Sequence, residues 1–148
     1  MKEFFPISGY WRGVKDGNKT ALALYERHYS CYKYADGRVR KIFCGPGEKT
    51  VLITHKADAL FVWRKFIDDS GQQGINCAVF RNEGDILSSD LIKEAMEIAW
   101  RRWPGERFYT YVNKDKIRST NPGYCFKVAS WSMCGFTKGG LIILEKHA

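Results

Sequence analysis

The chain has 148 residues, 45% of them hydrophobic, with 24 Lys and Arg against 16 Asp and Glu, for a net charge of +8. That length suits one domain whose core is large enough to fold without disulfide or metal staples, and it argues against a second domain. The basic balance disfavours a cationic substrate and favours anionic partners, nucleic acid or phosphate-bearing ligands.

The five cysteines (Cys31, Cys44, Cys77, Cys125, Cys134) are odd in number and scattered, with no C-x-x-C pair. This predicts reduced thiols, and no metal-ligand residues are singled out. No apolar run approaches a membrane span, and Met1-Lys2-Glu3-Phe4-Phe5 lacks the apolar stretch of a signal peptide, so a cytoplasmic protein without a membrane partner is expected.

In residues 1 to 20, Pro6, Gly9, Gly13 and Gly17 interrupt the aromatics and allow at most one short strand, about Tyr10 to Val14. Thr20 to Tyr29 reads as a short helix with Ala21, Leu22, Leu24, Tyr25 and His28 on one side. His28 is a candidate catalytic residue because imidazole titrates near neutrality, although a lone histidine more often serves structure. Asp36-Gly37 signals a hairpin before a strand from Arg38 to Cys44, and Gly45-Pro46-Gly47 a further turn. Thr50 to Thr54 and Ala59 to Phe66 are expected strands joined by His55-Lys56-Ala57-Asp58.

The organising stretch is Ile75 to Arg102. Ile75, Cys77, Val79 and Phe80 make an apolar strand, Arg81 to Asp85 a turn, and Ser88-Ser89-Asp90 opens a helix. Leu91, Ile92, Ala95, Met96, Ile98, Ala99 and Trp103 recur at helical spacing, and Pro104-Gly105 stops the helix. With Ser88 or Ser89 as N-cap, uncommitted N–H groups and the positive dipole end face the turn, where an anion binds. Arg107 to Val112 follows as a strand rich in aromatic and β-branched residues.

Strand, helix and strand at this spacing predict a right-handed crossover between parallel neighbours. Asn113 then stands at the carboxyl end of the second strand. The basic loop from Lys114 to Asn121 is expected to meet DNA phosphates through Lys114, Lys116 and Arg118, aided by Arg12, Lys15, Arg38, Arg40 and Lys41. Pro122-Gly123 opens a last helix expected from Tyr124 to Met133, with Gly135 as its left-handed C-cap. Leu141 to Glu145 reads as a final buried strand.

This order of elements, with Arg81-Asn82-Glu83-Gly84 at the turn, Asn113 after the next strand and Trp131-Ser132-Met133-Cys134-Gly135-Phe136 near the end, resembles the GNAT acyltransferases. The resemblance implies one α/β (α+β) domain over residues 1–148, with a mixed, mostly antiparallel sheet flanked by helices. It implies an acetyl-CoA or other acyl-CoA cofactor whose pyrophosphate lies on Arg81, Gly84, Ser88 and Ser89, with Asn113 beside it. The family's Arg/Gln-x-x-Gly-x-Gly/Ala motif is matched at its first four positions, but Ile86 replaces its final small residue. Trp131 replaces the tyrosine that protonates the departing thiolate, and Tyr124, about two turns earlier on nearly the same face, is the nearest substitute.

His28-Tyr29-Ser30 and Gly123-Tyr124-Cys125-Phe126-Lys127-Val128-Ala129-Ser130-Trp131 are similar to the Mom-type phage DNA-modification proteins, divergent GNAT-like enzymes acting on adenine. Those proteins carry an aspartate where Asn113 stands and a tyrosine where Phe126 stands. The implied function is N-acylation of an amine, favoured in a nucleobase of DNA, with His28, Asn113 and Tyr124 around the reacting groups and a phage or prophage origin. The alternative is a non-catalytic nucleic-acid-binding or anti-restriction module on the same fold.

Overall fold

The computed structural model describes residues 9–28, 47–67, 71–116 and 123–148. In chain order the elements are β1 (Trp11–Val14), α1 (Lys19–Glu26), β2 (Glu48–Thr54), β3 (Ala59–Lys65), β4 (Ile75–Asn82), α2 (Ser88–Arg102), β5 (Phe108–Val112), a 3-10 turn (Lys114–Lys116), α3 (Tyr124–Val128), β6 (Ser132–Phe136) and β7 (Ile142–Lys146). The expected hairpin at Asp36-Gly37 and the strand from Arg38 to Cys44 lie outside the described residues.

The seven strands among the described residues form one mixed sheet in the order β1-β2-β3-β4-β5-β7-β6, antiparallel except for the parallel pair β4 and β5. Each face buries its own apolar cluster. On one side α2 covers Leu52, Phe61, Trp63, Ile75, Cys77, Phe108 and Leu144; on the other α1 covers Val51, Ile53, Leu60, Val62 and Val79. This alternation is the period-two pattern of the strands. No described helix is long and apolar enough to cross a membrane.

α2 is fixed to the sheet by indoles as well as by its apolar stripe. Trp11 Nε1 donates to the Leu91 carbonyl at 2.8 Å, Trp63 Nε1 to the Ala95 carbonyl at 2.9 Å, and Trp131 Nε1 to Met96 Sδ at 3.2 Å. Each large ring thereby buries its surface while its one polar atom is satisfied.

Three local expectations are corrected. The first helix starts one residue earlier than expected, behind Asn18, whose side chain accepts from the amides of Thr20 and Ala21, and it ends at Glu26. Ser88 and Ser89 are not the N-cap of α2. Leu87 holds that position without a side-chain hydrogen bond, and the serines are the first two helical residues.

The last helix also stops at Val128 rather than Met133, and the following segment becomes β6. The left-handed residue is Ser130 (φ 76°), not Gly135. Ser130 N donates to the Lys127 carbonyl and Trp131 N to the Phe126 carbonyl, each at 3.0 Å, while the Phe126 and Trp131 rings meet at 4.9 Å. This is the Schellman closure with its accompanying apolar contact. It turns the chain out of the helix and frees residues 132–136 to pair with β7.

Candidate functional site

β4 and β5 are paired at only three positions, Ile75 with Phe108, Asn76 with Tyr109 and Cys77 with Thr110. On the other side of β4, Val62 opposes Val79 while Trp63 opposes Cys77, so Ala78 is an extra residue, a β-bulge. A bulge bends its strand and increases the local twist. Here it sits immediately after the last β4–β5 rung. β4 runs on to Asn82 beside β3, and β5 runs on to Val112 beside β7, with no strand pairing between them beyond that rung. The Thr110 hydroxyl donates to the Cys77 carbonyl at 2.9 Å and closes the base of the fork.

The bulge also reverses the alternation of β4. Cys77 and Phe80 both face the α2 side, while Val79 faces α1. Phe80 meets Phe126 edge-on at 5.9 Å, which places α3 over this part of the sheet. Burial pushes the Cys77 thiol up, aided by the neighbouring Cys125, and burial also raises Cys125. Both therefore stay protonated and act as small apolar groups.

At the mouth of the fork the chain turns from Asn82 into α2. The Asn82 amide organises the turn: its Nδ2 donates to the Ile86 carbonyl at 2.7 Å and to Ser88 Oγ at 3.0 Å, and its Oδ1 accepts from the Gly84 amide at 3.0 Å. The sequence reading missed Asn82. The available signal was an amide side chain at a strand end, six residues before a helix-opening serine. Gly84 is required by its neighbour, because a Cβ there would lie 2.2 Å from the Asp58 carboxylate. That carboxylate is held by Thr54 Oγ1 at 2.6 Å, and Asp58 O accepts from Glu83 N at 2.8 Å. The turn is thus docked on the β2–β3 connection.

With no cap on α2, the Ser88 and Ser89 amides have no intrahelical acceptor. Ser89 is buried, at 4% exposed. Asp90 in the first turn partly opposes the positive dipole end. A cleft of about 170 Å³ lies beside the turn, lined by Tyr10, His55, Lys56, Asp58, Asp85 and Ile86 among others.

Arg81 does not stand alone. Its Nε and that of Arg27 both bond Glu83 Oε2, at 2.5 and 2.6 Å, and this pairing holds the Glu83 carboxyl down at about 2. His28 lies next in the cluster. Burial, with the Arg81 charge second, lowers its pKa to about 4 against a hydrogen bond to the Phe80 backbone, so the ring is neutral at physiological pH. The end of α1 is therefore joined to β4 beyond the bulge.

Because β4 and β5 are parallel, Asn113 comes at the same end of the sheet as the Asn82 turn, and its Oδ1 accepts from the Asp115 amide at 3.0 Å. Gly123 packs so closely that a Cβ would lie 2.5 Å from Leu144 Cδ1 and 3.5 Å from Val112 Cγ2, which brings Tyr124 to this rim, 60% exposed. Trp131 is a core residue between Trp63, Phe108 and Phe126.

Of the expected DNA contacts, Lys114 is exposed and Lys116 closes the 3-10 turn after β5. Arg38, Arg40, Lys41 and Arg118 lie outside the described residues. The described residues contain no group of three or more His, Cys, Asp or Glu able to hold a metal.

By architecture this is a mixed α+β domain with a seven-stranded, mostly antiparallel sheet opened at its parallel pair. No protein-family model, curated protein or solved structure matches the chain.

Proposed function

We propose that the protein is a GNAT-like acyl-CoA-dependent N-acyltransferase, related to the Mom-type phage proteins, whose acceptor is an amine of a nucleobase in DNA, adenine being favoured. The observation that carries this reading is the fork itself: two parallel strands part at a bulge, and an uncapped helix N-terminus stands at the mouth. An extended thioester arm fits such a gap because the unpaired amide edges of the strands can bond its own amides. The free amides of Ser88 and Ser89 suit the pyrophosphate.

In this reading the amine attacks the thioester carbonyl, a C–N bond forms, and the C–S bond breaks to release the CoA thiolate. Amides on the open edge of β4 stabilise the oxyanion that forms on the way. Asn113 orients the acceptor or the thioester, and Tyr124 gives the thiolate its proton. His28 takes the proton from nitrogen. An exocyclic adenine amine becomes strongly acidic once its nitrogen bears positive charge, so even the weak base that His28 is here suffices.

A second reading, a nucleic-acid-binding or anti-restriction module without cofactor, draws on one observation. Arg81 is already engaged by Glu83, and the Asp58 carboxylate stands against Gly84, so the turn carries less positive charge than a pyrophosphate favours. Calorimetric titration with acetyl-CoA separates the two. The enzyme reading expects saturable binding that Ser89→Glu abolishes; no heat with the parent protein removes it and leaves the binding module.

A further inference from the structure

Seven large hydrophobic side chains among the described residues are exposed, and four of them, Tyr124, Val128, Met133 and Phe136, belong to α3 and β6. β6 carries a bulge at Cys134, because Met133 opposes Leu144 and Gly135 opposes Ile143. The extra residue brings Met133 and Phe136 to one side of the sheet although they are three apart, since their partners Leu144 and Ile142 both belong to the core under α2. α3 lies on that side too, its Phe126 against Phe80 and Trp131. It starts beside Met133, because Gly123 packs against Leu144.

Phe136 leads into the turn between β6 and β7, at the same end of the sheet as Asn113, since Ile142 opposes both Phe136 and Val112. The patch therefore reaches the mouth of the fork. Cations frame it. Lys93 precedes Met96 by three residues and shares the side of α2 that meets Trp131, Lys114 follows β5, Lys138 stands in the β6–β7 turn, and all three are exposed. From Arg107 to the end the chain has seven Lys and Arg against two Asp and Glu, and one of those two, Glu145, is engaged by Arg107 at 2.7 Å.

We propose that Phe136 and Met133 form a stacking surface for unpaired bases, so that the DNA acceptor is taken as a single strand; this rests on the reading of a nucleobase acceptor given above. Chemistry selects the occupant. The ring of Phe136 and the thioether of Met133 suit the flat face of a base, and the surrounding lysines suit its phosphates. In a duplex those faces are hidden in the stack and the adenine amine is held by its pairing partner. A base reaches Tyr124 only once it is unpaired, and its neighbours along the strand then lie within reach of β6.

Fluorescence anisotropy with a labelled adenine-containing strand of about twelve nucleotides, alone and annealed to its complement, tests this. The parent is expected to bind the single strand about tenfold or more tighter than the duplex. Met133→Ala with Phe136→Ala should raise the single-strand dissociation constant about tenfold and leave the salt slope unchanged, because stacking is lost while phosphate contacts remain. Both side chains are more than half exposed, so the fold is retained, which circular dichroism checks. Ile67→Ala, at a residue 94% exposed at the other end of the sheet, should change neither quantity. Equal affinity for the two forms of DNA, or single-strand binding indifferent to the paired substitutions, would overturn the proposal and leave a DNA acceptor standing. No binding to either form would remove both. Loss of binding to phosphatidylserine vesicles in the variant, with DNA affinity unaltered, would assign the patch to a membrane surface instead.

Discussion

The Thr110 hydroxyl reaches the Cys77 carbonyl at 2.9 Å on the last rung that joins β4 to β5. Thr110→Val keeps the shape and removes the donor from a buried carbonyl, which costs about 1–2 kcal/mol. Urea unfolding should show that loss, with Thr110→Ser retaining more of the stability than the valine because it keeps the hydroxyl. Equal losses in the two variants would mean that the hydrogen bond does not hold the fork.

Gly84 and Asp58 form a second close pair, set by the 2.2 Å separation between an added Cβ and a carboxylate oxygen. Gly84→Ala is expected to cost about 1–3 kcal/mol, since the carboxylate must leave Thr54 to make room. In a double-mutant cycle, Asp58→Ala should recover part of that cost. Strict additivity would show that the crowding is elsewhere.

His28 makes stability depend on pH in a definite window. Its pKa falls from 6.5 in the unfolded chain to about 4 in the folded one, so between those values the unfolded state binds more protons. The contribution is complete above pH 6.5 and is lost as pH falls towards 4, amounting to at most about 3 kcal/mol. Glu83, held at about 2, acts only below its ordinary 4.5. Unfolding measured from pH 4.5 to 7 should therefore slope upward in the parent and flatten in His28→Gln; parallel curves would remove His28 as the cause.

On the proposed reading, DNA binding through the loop Lys114 to Asn121 should weaken with salt as phosphate contacts release counterions. Reversing charge at Lys116 and Arg118 is expected to lower affinity and reduce the magnitude of the log–log salt slope by about two. Fluorescence anisotropy across a salt series measures both, and unchanged slopes would exclude this loop from the interface.

Local periodicity alone was enough for the central strand, helix and strand. The apolar stripe from Leu91 to Trp103 and the stop at Pro104-Gly105 correspond to α2, Ser88–Arg102, and the run from Phe108 to Val112 to β5. The spacing of the unit required a parallel pair because a chain of that length must cross over, and β4 and β5 are parallel. Of the candidate site residues, Arg81, Gly84, Ser88 and Ser89 lie at or beside the connection from β4 to α2.

Tertiary structure decided the rest. The bulge at Ala78 exists only in the register between β3 and β4, and Gly84 is constrained by Asp58, a residue 26 positions earlier. The stretch after Val128 has apolar residues that suit a helix, yet pairing with β7 and the left-handed turn at Ser130 make it a strand. Sequence pattern records which side of an element is apolar. Where a strand parts from its neighbour, which carboxylate occupies an arginine and how far a histidine is desolvated depend on partners distant in the chain, and only packing brings those together.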